Sequence, residues 1–184
     1  QWSSSAASDV YKRQPLKGGQ KIEDDSWIFY GGGDDIWNTN DQFRYAYKKL
    51  DSDFSFSIKI DSLYNVHQYA KAGLMIRKSL NSNSAHGLIN MFPSGNTEFG
   101  YRTNNGETME AKSGPQIDLT DARLKMKKSG KIIEFFVLSS NDWQKLGELN
   151  VSKWGKSFYV GIATLSHDNS QLTKAQYSEI VLTN

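Results

Sequence analysis

Apolar and polar residues alternate along many short segments of the chain after residue 25. In the clearest segment Phe54, Phe56, Ile58 and Ile60 alternate with serine and lysine. A period of two puts successive side chains on opposite faces of a β-strand, so the apolar set faces a core. The pattern predicts strands with one buried face, and no segment shows the 3.6-residue apolar period of a long amphipathic helix.

Turn signals separate the predicted strands. Residues 104–106 (Asn-Asn-Gly) form a strong hairpin-turn signal. Residues 128–131 (Lys-Ser-Gly-Lys) link the alternating run 124–127 to the apolar run 132–138, which predicts a second hairpin. Residues 159–165 are apolar or small almost throughout, which predicts a strand covered on both faces. Short strands at this spacing predict an all-β fold, a two-sheet antiparallel β-sandwich.

Length and composition set bounds on the function. A chain of 184 residues with 38% hydrophobic residues can bury a sizeable core and is too apolar to be disordered. The formal net charge of +2 is nearly neutral, which argues against nucleic acid as a partner. No run approaches the roughly 18 apolar residues of a membrane span. The absence of Cys excludes disulfides and thiolate metal sites.

The start of the chain differs in character from the rest. Residues 1–14 read like a translated sequencing-library adapter, so we predict that they are a non-native segment. We expect residues 15–25 to be a flexible lead-in and residues 26–184 to be the folded domain. The first Met is Met75, inside a predicted strand, so we expect the natural start to be missing and the domain to belong to a longer protein.

Three stretches of the sequence resemble one protein family. The matching positions are residues 33–37 (Gly-Asp-Asp-Ile-Trp) with Asp41 and Phe43, residues 71–77 (Lys-Ala-Gly-Leu-Met-Ile-Arg), and residues 159–163 (Tyr-Val-Gly-Ile-Ala) with Ser166 and His167. The family is the regulation-of-enolase-type domain of the concanavalin A-like lectin/glucanase superfamily. Asn38 departs from its pattern, because a Gly is usual after the Trp. The resemblance implies a concanavalin A-like jelly roll.

The resemblance also implies a function. Many members are appended to secreted polysaccharide-degrading proteins, so we expect a non-catalytic accessory module that binds a polysaccharide or oligosaccharide and is extracellular or at the cell surface. Glycanases of this fold carry two catalytic carboxylates in an E-x-D-x-x-E motif, which this sequence lacks. The alternatives are a polysaccharide hydrolase or lyase with a different site, and an intracellular protein-interaction domain, because the family takes its name from a regulatory member.

Trp37 and Asp41 are the first candidate binding residues, and two interpretations compete. In one, Trp37 is exposed and stacks on a sugar ring while Asp41 accepts hydrogen bonds from sugar hydroxyls. In the other, Trp37 is buried and the Asp side chains cap turns.

Arg77 and Arg102 are predicted on one sheet face, Arg77 beside Met75 and Arg102 beside Glu98. Two guanidinium groups on one face can grip a carboxylate, such as that of a uronic acid, through paired hydrogen bonds. The alternative is a structural role, with an ion pair such as Arg102 to Glu98.

His167 completes the candidate binding residues. The histidines lack zinc-site spacing, so we predict no cofactor, with calcium as the one candidate metal. A calcium ion would be held by Asp168 and Asn169 together with Asp34 or Asp35.

A basic cluster lies in the predicted second hairpin. Its members are Arg123, Lys125, Lys127, Lys128 and Lys131. Because these residues alternate with Leu124 and Met126, we predict the solvent face of an edge strand rather than a nucleic-acid site.

Overall fold

The computed structural model describes residue 16, residues 18–23 and 25–184, and the backbone of residues 3–4. Within this part of the chain there is no helix, and therefore none long and apolar enough to cross a membrane. The strands are β1 (Ser3–Ser4), β2 (Gly19–Glu23), β3 (Ser26–Gly31), β4 (Ile36–Trp37), β5 (Asn40–Asp41), β6 (Arg44–Leu50), β7 (Phe54–Leu63), β8 (Lys71–Arg77), β9 (His86–Met91), β10 (Asn96–Arg102), β11 (Glu110–Gln116), β12 (Ala122–Ser129), β13 (Ile132–Ser139), β14 (Asp142–Asn150), β15 (Phe158–Leu165) and β16 (Thr173–Thr183).

The strands are arranged in two large antiparallel sheets. Among the described residues each sheet has seven strands, and β4 and β5 form a separate pair. The front sheet has the order β1-β6-β15-β8-β9-β10-β11, and the back sheet has the order β14-β13-β12-β7-β16-β3-β2. This arrangement confirms the predicted two-sheet antiparallel β-sandwich.

The alternation seen in the sequence builds the core between the sheets. In β7 the side chains of Phe56 and Ile58 are buried, whereas the intervening Ser57 is half-buried. The buried set packs with front-sheet residues such as Leu74 and Ile76 in one hydrophobic cluster. Burying each such side chain contributes roughly 1.5–3 kcal/mol, so the alternating segments supply much of the driving force for folding.

Strands β8 and β15 lie at the centre of the front sheet. Every residue of β8 is buried, and β15 is buried almost throughout, as the run 159–165 predicted. Gly73 in β8 faces close backbone neighbours, because a Cβ at this position would lie 2.7 Å from the Cα of Asn90. Glycine is therefore needed here for the close approach of β8 and β9.

The hairpin that carries the basic cluster forms as predicted, with one difference. Strands β12 and β13 pair around Gly130, and Lys125 and Lys127 lie on the side of β12 away from the core. The predicted edge position is wrong, since β12 pairs with β7 on its other side. The lysines therefore occupy the outer face of an internal strand.

The N-terminal prediction meets the structure only in part. The expected flexible lead-in over 15–25 contains β2, which pairs with β3 at the edge of the back sheet. Its side chains are exposed or half-buried, so it left no alternating apolar signal in the sequence. The predicted non-native segment 1–14 lies outside the described residues, except for the backbone of residues 3–4, which pairs with β6.

Candidate functional site

The outer face of the front sheet, which is turned away from the back sheet, is crossed by residues 31–43. Ile36 and Phe43 anchor this segment, since both are fully buried and belong to a second hydrophobic cluster with Met75 and Leu88 of the sheet. Trp37 follows Ile36 in β4 and is 37% exposed, because successive strand residues face opposite sides. The interpretation of Trp37 as a buried residue is therefore wrong.

Asn38 has a backbone conformation that explains its place in the sequence. Its φ is 46°, in the left-handed region, where Gly is favoured and Asn is the best-tolerated alternative. The departure from the family pattern is therefore compatible with the same turn. The Asn38 carbonyl accepts hydrogen bonds from the Met109 N–H at 2.9 Å and from Arg102 Nη2 at 2.8 Å, which fixes this turn to the sheet.

Asp41, Arg77 and Arg102 form a buried ion cluster under the same segment. The Asp41 carboxylate accepts hydrogen bonds from Arg77 Nη1 at 2.7 Å and from Arg102 Nη1 and Nη2 at 3.0 and 2.9 Å. All three side chains are 0% exposed. Asp41 borders one hollow of the surface, but its carboxylate is inaccessible.

The charges in this cluster determine the ionisation of its members. Burial by itself raises the pKa of Asp41, but the two guanidinium groups outweigh it and hold the pKa below its ordinary value. Burial lowers the pKa of the neighbouring His86 to about 3, so this histidine is neutral at physiological pH. The cluster therefore attaches the crossing segment to β8 and β10 and does not present Asp41, Arg77 or Arg102 to a ligand.

An open cleft lies beside the buried cluster. It consists of two adjoining hollows of about 540 and 910 Å³, and Asp35, Trp37 and His167 line both. We call the joined hollows the cleft. Its larger part is also lined by Tyr69, Phe92, Lys71 and Glu98. The size is within the range of pockets that hold small ligands.

Aromatic rings form part of the cleft wall. The rings of His67 and His167 lie 4.5 Å apart, and the Tyr69 ring meets His167 edge-on at 5.5 Å and Phe92 at 6.1 Å. Tyr69 is 51% exposed, so about half of its surface is open to solvent. Such rings offer flat apolar surfaces together with polar edges.

Asp35, Lys71 and His167, one from each of the three resembling stretches, lie close together in the cleft. Lys71 of β8 forms an ion pair with Asp35 of the crossing segment. The Nδ1 atom of His167, in the loop after β15, lies 3.5 Å from the other carboxylate oxygen of Asp35. Lys71 is almost fully buried and already has a carboxylate partner, so it offers little free positive charge to a ligand.

Glu98 and Asn90 lie side by side in the sheet, with Gly73 on the other side of Asn90. The Oε1 atom of Glu98 and both amide atoms of Asn90 are buried without a hydrogen-bond partner among the described residues. Burial raises the pKa of Glu98, Asp35 raises it further, and Lys71 opposes the rise. Unpaired polar groups of this kind are costly in a folded protein, because a buried donor or acceptor has given up its hydrogen bonds to water.

The predicted binding residues thus separate into two groups. Trp37 and His167 line the cleft, whereas Asp41, Arg77 and Arg102 are engaged with one another below it. The structural alternative had suggested an ion pair between Arg102 and Glu98. Arg102 pairs with Asp41 instead. Tyr69, Lys71 and Glu98 also line the cleft but were not predicted from the sequence, and Asp35 was considered only as a calcium ligand. Lys71 and Asp35 had a detectable signal, since each occupies a charged position in a resembling stretch.

Two of the three carboxylates considered for calcium, those of Asp168 and Asp35, have other partners. Asp168 accepts hydrogen bonds from Ser170 and Gln171, and Asp35 pairs with Lys71. The part of the chain that the structure describes contains no group of three or more His, Cys, Asp or Glu side chains that could hold a metal ion. Calcium binding stays a prediction from the sequence.

Comparisons with known proteins concern the fold. No protein-family model and no curated protein matches the sequence significantly. Among solved structures, a protein of unknown function from Saccharomyces cerevisiae is similar over 90% of this chain and 91% of its own, with 15% identity and a TM-score of 0.71. A β-glucanase from Bacillus licheniformis is similar over 100% and 92%, with 10% identity and a TM-score of 0.62.

A third similar structure is the carbohydrate-binding module CBM66 from Bacillus subtilis. It covers 100% of this chain and 95% of its own, with 13% identity and a TM-score of 0.59. The chain has the concanavalin A-like jelly-roll fold. At these identities the likeness establishes the jelly roll alone, and the regulation-of-enolase subtype stays a prediction from the resembling stretches.

Proposed function

We propose that this protein binds carbohydrate in the cleft on the outer face of the front sheet. The observation that carries the proposal is the exposed Trp37, held by a buried anchor at the border of both hollows. Sugars have apolar C–H faces and hydroxyl rims, so they need an aromatic surface with hydrogen-bonding groups nearby. Trp37 and Tyr69 supply the first, and Asp35 and Glu98 supply the second.

The comparisons support the proposal at the level of the fold. One similar structure is a carbohydrate-binding module and another is a β-glucanase, so the jelly roll serves proteins of both kinds. For this chain we propose the role of an accessory binding module. We also propose an extracellular or cell-surface location, which the sequence of the complete reading frame tests directly.

Affinity electrophoresis in gels that contain neutral or acidic polysaccharides tests the binding function. We expect at least one polysaccharide to retard the protein, and Trp37→Ala to abolish the retardation. Trp143→Ala is the matched control, because Trp143 is 38% exposed but lies on β14 of the back sheet. Unretarded migration on the whole panel, or equal losses in the two variants, would refute binding at the cleft.

A glycoside hydrolase activity is a second candidate, favoured by the position of Glu98 and Asp35 in one cleft. Glycoside hydrolysis commonly uses one protonated carboxylic acid and one carboxylate, and the raised pKa of Glu98 favours its protonated form more than in an ordinary glutamate. The test is the release of new reducing ends from the same polysaccharides. Hydrolysis that Glu98→Gln removes would support this candidate, and no release from any polysaccharide would eliminate it.

A further inference from the structure

The inference that follows concerns the class of sugar and rests on the proposed function. The carboxylates of the cleft outnumber its cations: Asp34, Asp35 and Glu98 line it, whereas Lys71 is its only lysine or arginine among the described residues. Lys71 already forms an ion pair with Asp35, so the unpaired charge available to a ligand is negative. The buried cluster of Asp41, Arg77 and Arg102 carries a net charge of +1, which reduces the −2 of Asp34, Asp35, Glu98 and Lys71 to −1 and leaves the balance negative.

A second observation identifies polar groups without partners next to the cleft. Glu98 Oε1 is buried and has no partner, and the adjacent Asn90 is 0% exposed with its Oδ1 and Nδ2 atoms unpaired. Both residues project from the outer face of the front sheet, since Asn90 alternates with the core residues Ile89 and Met91. Glu98, which lines the larger hollow, therefore has one carboxylate oxygen without a donor and lies beside a buried amide without partners among the described residues.

An ammonium group meets these requirements, because it carries three N–H donors and one positive charge. A uronic acid does not, since its carboxylate would add a negative charge beside Asp35 and Glu98. The arginines that the sequence suggested for binding a uronic acid are buried in their own cluster. We propose that the cleft prefers sugars with a protonated amino group, such as glucosamine units, over neutral sugars and disfavours uronic acids.

The electrostatic surroundings give the preference a pH dependence. The charged groups that act on Glu98 are Lys71 and Asp35, and His167 faces Asp35 in the same cleft. Because the pKa of Glu98 is raised, this carboxylate loses its charge at a higher pH than an ordinary glutamate does. A bound ammonium favours the ionised carboxylate, so the preference for the amino sugar strengthens as the pH rises through the pKa of Glu98.

Glucose, glucosamine and glucuronic acid are suitable probes, because they share one ring and differ in charge. Their affinities are measured by NMR titration of the ¹⁵N-labelled full chain at about pH 6, where a sugar amine is protonated. We expect glucosamine to bind about tenfold more tightly than glucose, which corresponds to about 1.4 kcal/mol for one charge-assisted contact. Glucuronic acid is expected to bind more weakly than glucose.

Glu98→Gln keeps the shape of the side chain and removes its charge, so it is expected to bring the glucosamine-to-glucose affinity ratio close to one. Glu134→Gln, on the outer face of β13, is the matched control and leaves the ratio unchanged. A wild-type ratio near one, or tightest binding of glucuronic acid, would overturn the preference while leaving the carbohydrate site in place. If none of the sugars shifts resonances of the cleft, the preference fails, and affinity electrophoresis on the polysaccharide panel decides separately whether the proposed function fails as well.

Discussion

Replacing Asp41 with Asn tests the buried cluster that holds the crossing segment on the front sheet. The change keeps the shape of the side chain but removes the charge that three guanidinium N–H groups contact at 2.7–3.0 Å. Arg77 and Arg102 retain carbonyl partners, including Asn81 at 2.7 Å and Asn38 at 2.8 Å. These carbonyls satisfy donors but do not neutralise two positive charges at 0% exposure.

Removing one partner of a buried ion pair costs about 3–5 kcal/mol, because the remaining charge is left uncompensated. We therefore expect Asp41→Asn to lower the free energy of unfolding by about this amount, measured by urea denaturation with circular dichroism as the probe. Asp53→Asn is the control. The Asp53 carboxylate also forms an ion pair, with Lys128 at 2.7 Å, but the Asp53 side chain is 58% exposed. Its loss is expected to be much smaller, and equal losses in the two variants would refute the reasoning.

The same comparison has a defined pH dependence. The pKa of Asp41 in the folded protein lies below its ordinary value of 3.8, so its contribution to stability is fully present above that value. The contribution is lost as the pH falls through the pKa of the folded state. The difference between wild type and Asp41→Asn should therefore be constant near neutral pH and shrink in strong acid. A difference that grows in acid would contradict the assignment of Asp41 as an ionised partner.

Three further predictions concern the cleft and the sheet. Tyr69→Ala should weaken polysaccharide binding about 5- to 30-fold, as expected for loss of one stacking ring, whereas Tyr64→Ala, outside the cleft, should leave affinity electrophoresis unchanged. Asp35→Asn should lower the pKa of Glu98, because the Asp35 charge raises it. The pKa is measured by ¹³C NMR titration of the Glu98 carboxyl group, and a rise would contradict the prediction. Gly73→Ala should cost about 1–3 kcal/mol in urea denaturation, and an unchanged midpoint would show that β9 moves without cost.

The fold could be predicted from the sequence because its signal is local. The alternation in β7 and the turn before Ile132 require only neighbouring residues, and both predicted elements are present. The strand β2 could not be predicted, because its side chains lie at a sheet edge and are half-buried or exposed. An edge strand of this kind has no apolar face to detect.

The site was only partly predictable, because it depends on contacts between distant strands. The sequence placed Arg77 and Arg102 on one sheet face, which is correct, but it could not show that Asp41 would reach both from the crossing segment. Trp37 and Asp41 are separated by one short turn and have opposite fates: one is exposed and the other fully buried. Only the path of residues 31–43 over the sheet decides between them.

A crystal structure of the full chain with an oligosaccharide from a polysaccharide that retards it in the gel tests the central claim most directly. The account predicts a sugar ring stacked on Trp37 or Tyr69, with its polar groups within hydrogen-bond distance of Asp35 or Glu98. A sugar bound elsewhere on the surface, with the cleft free of ligand, would contradict it.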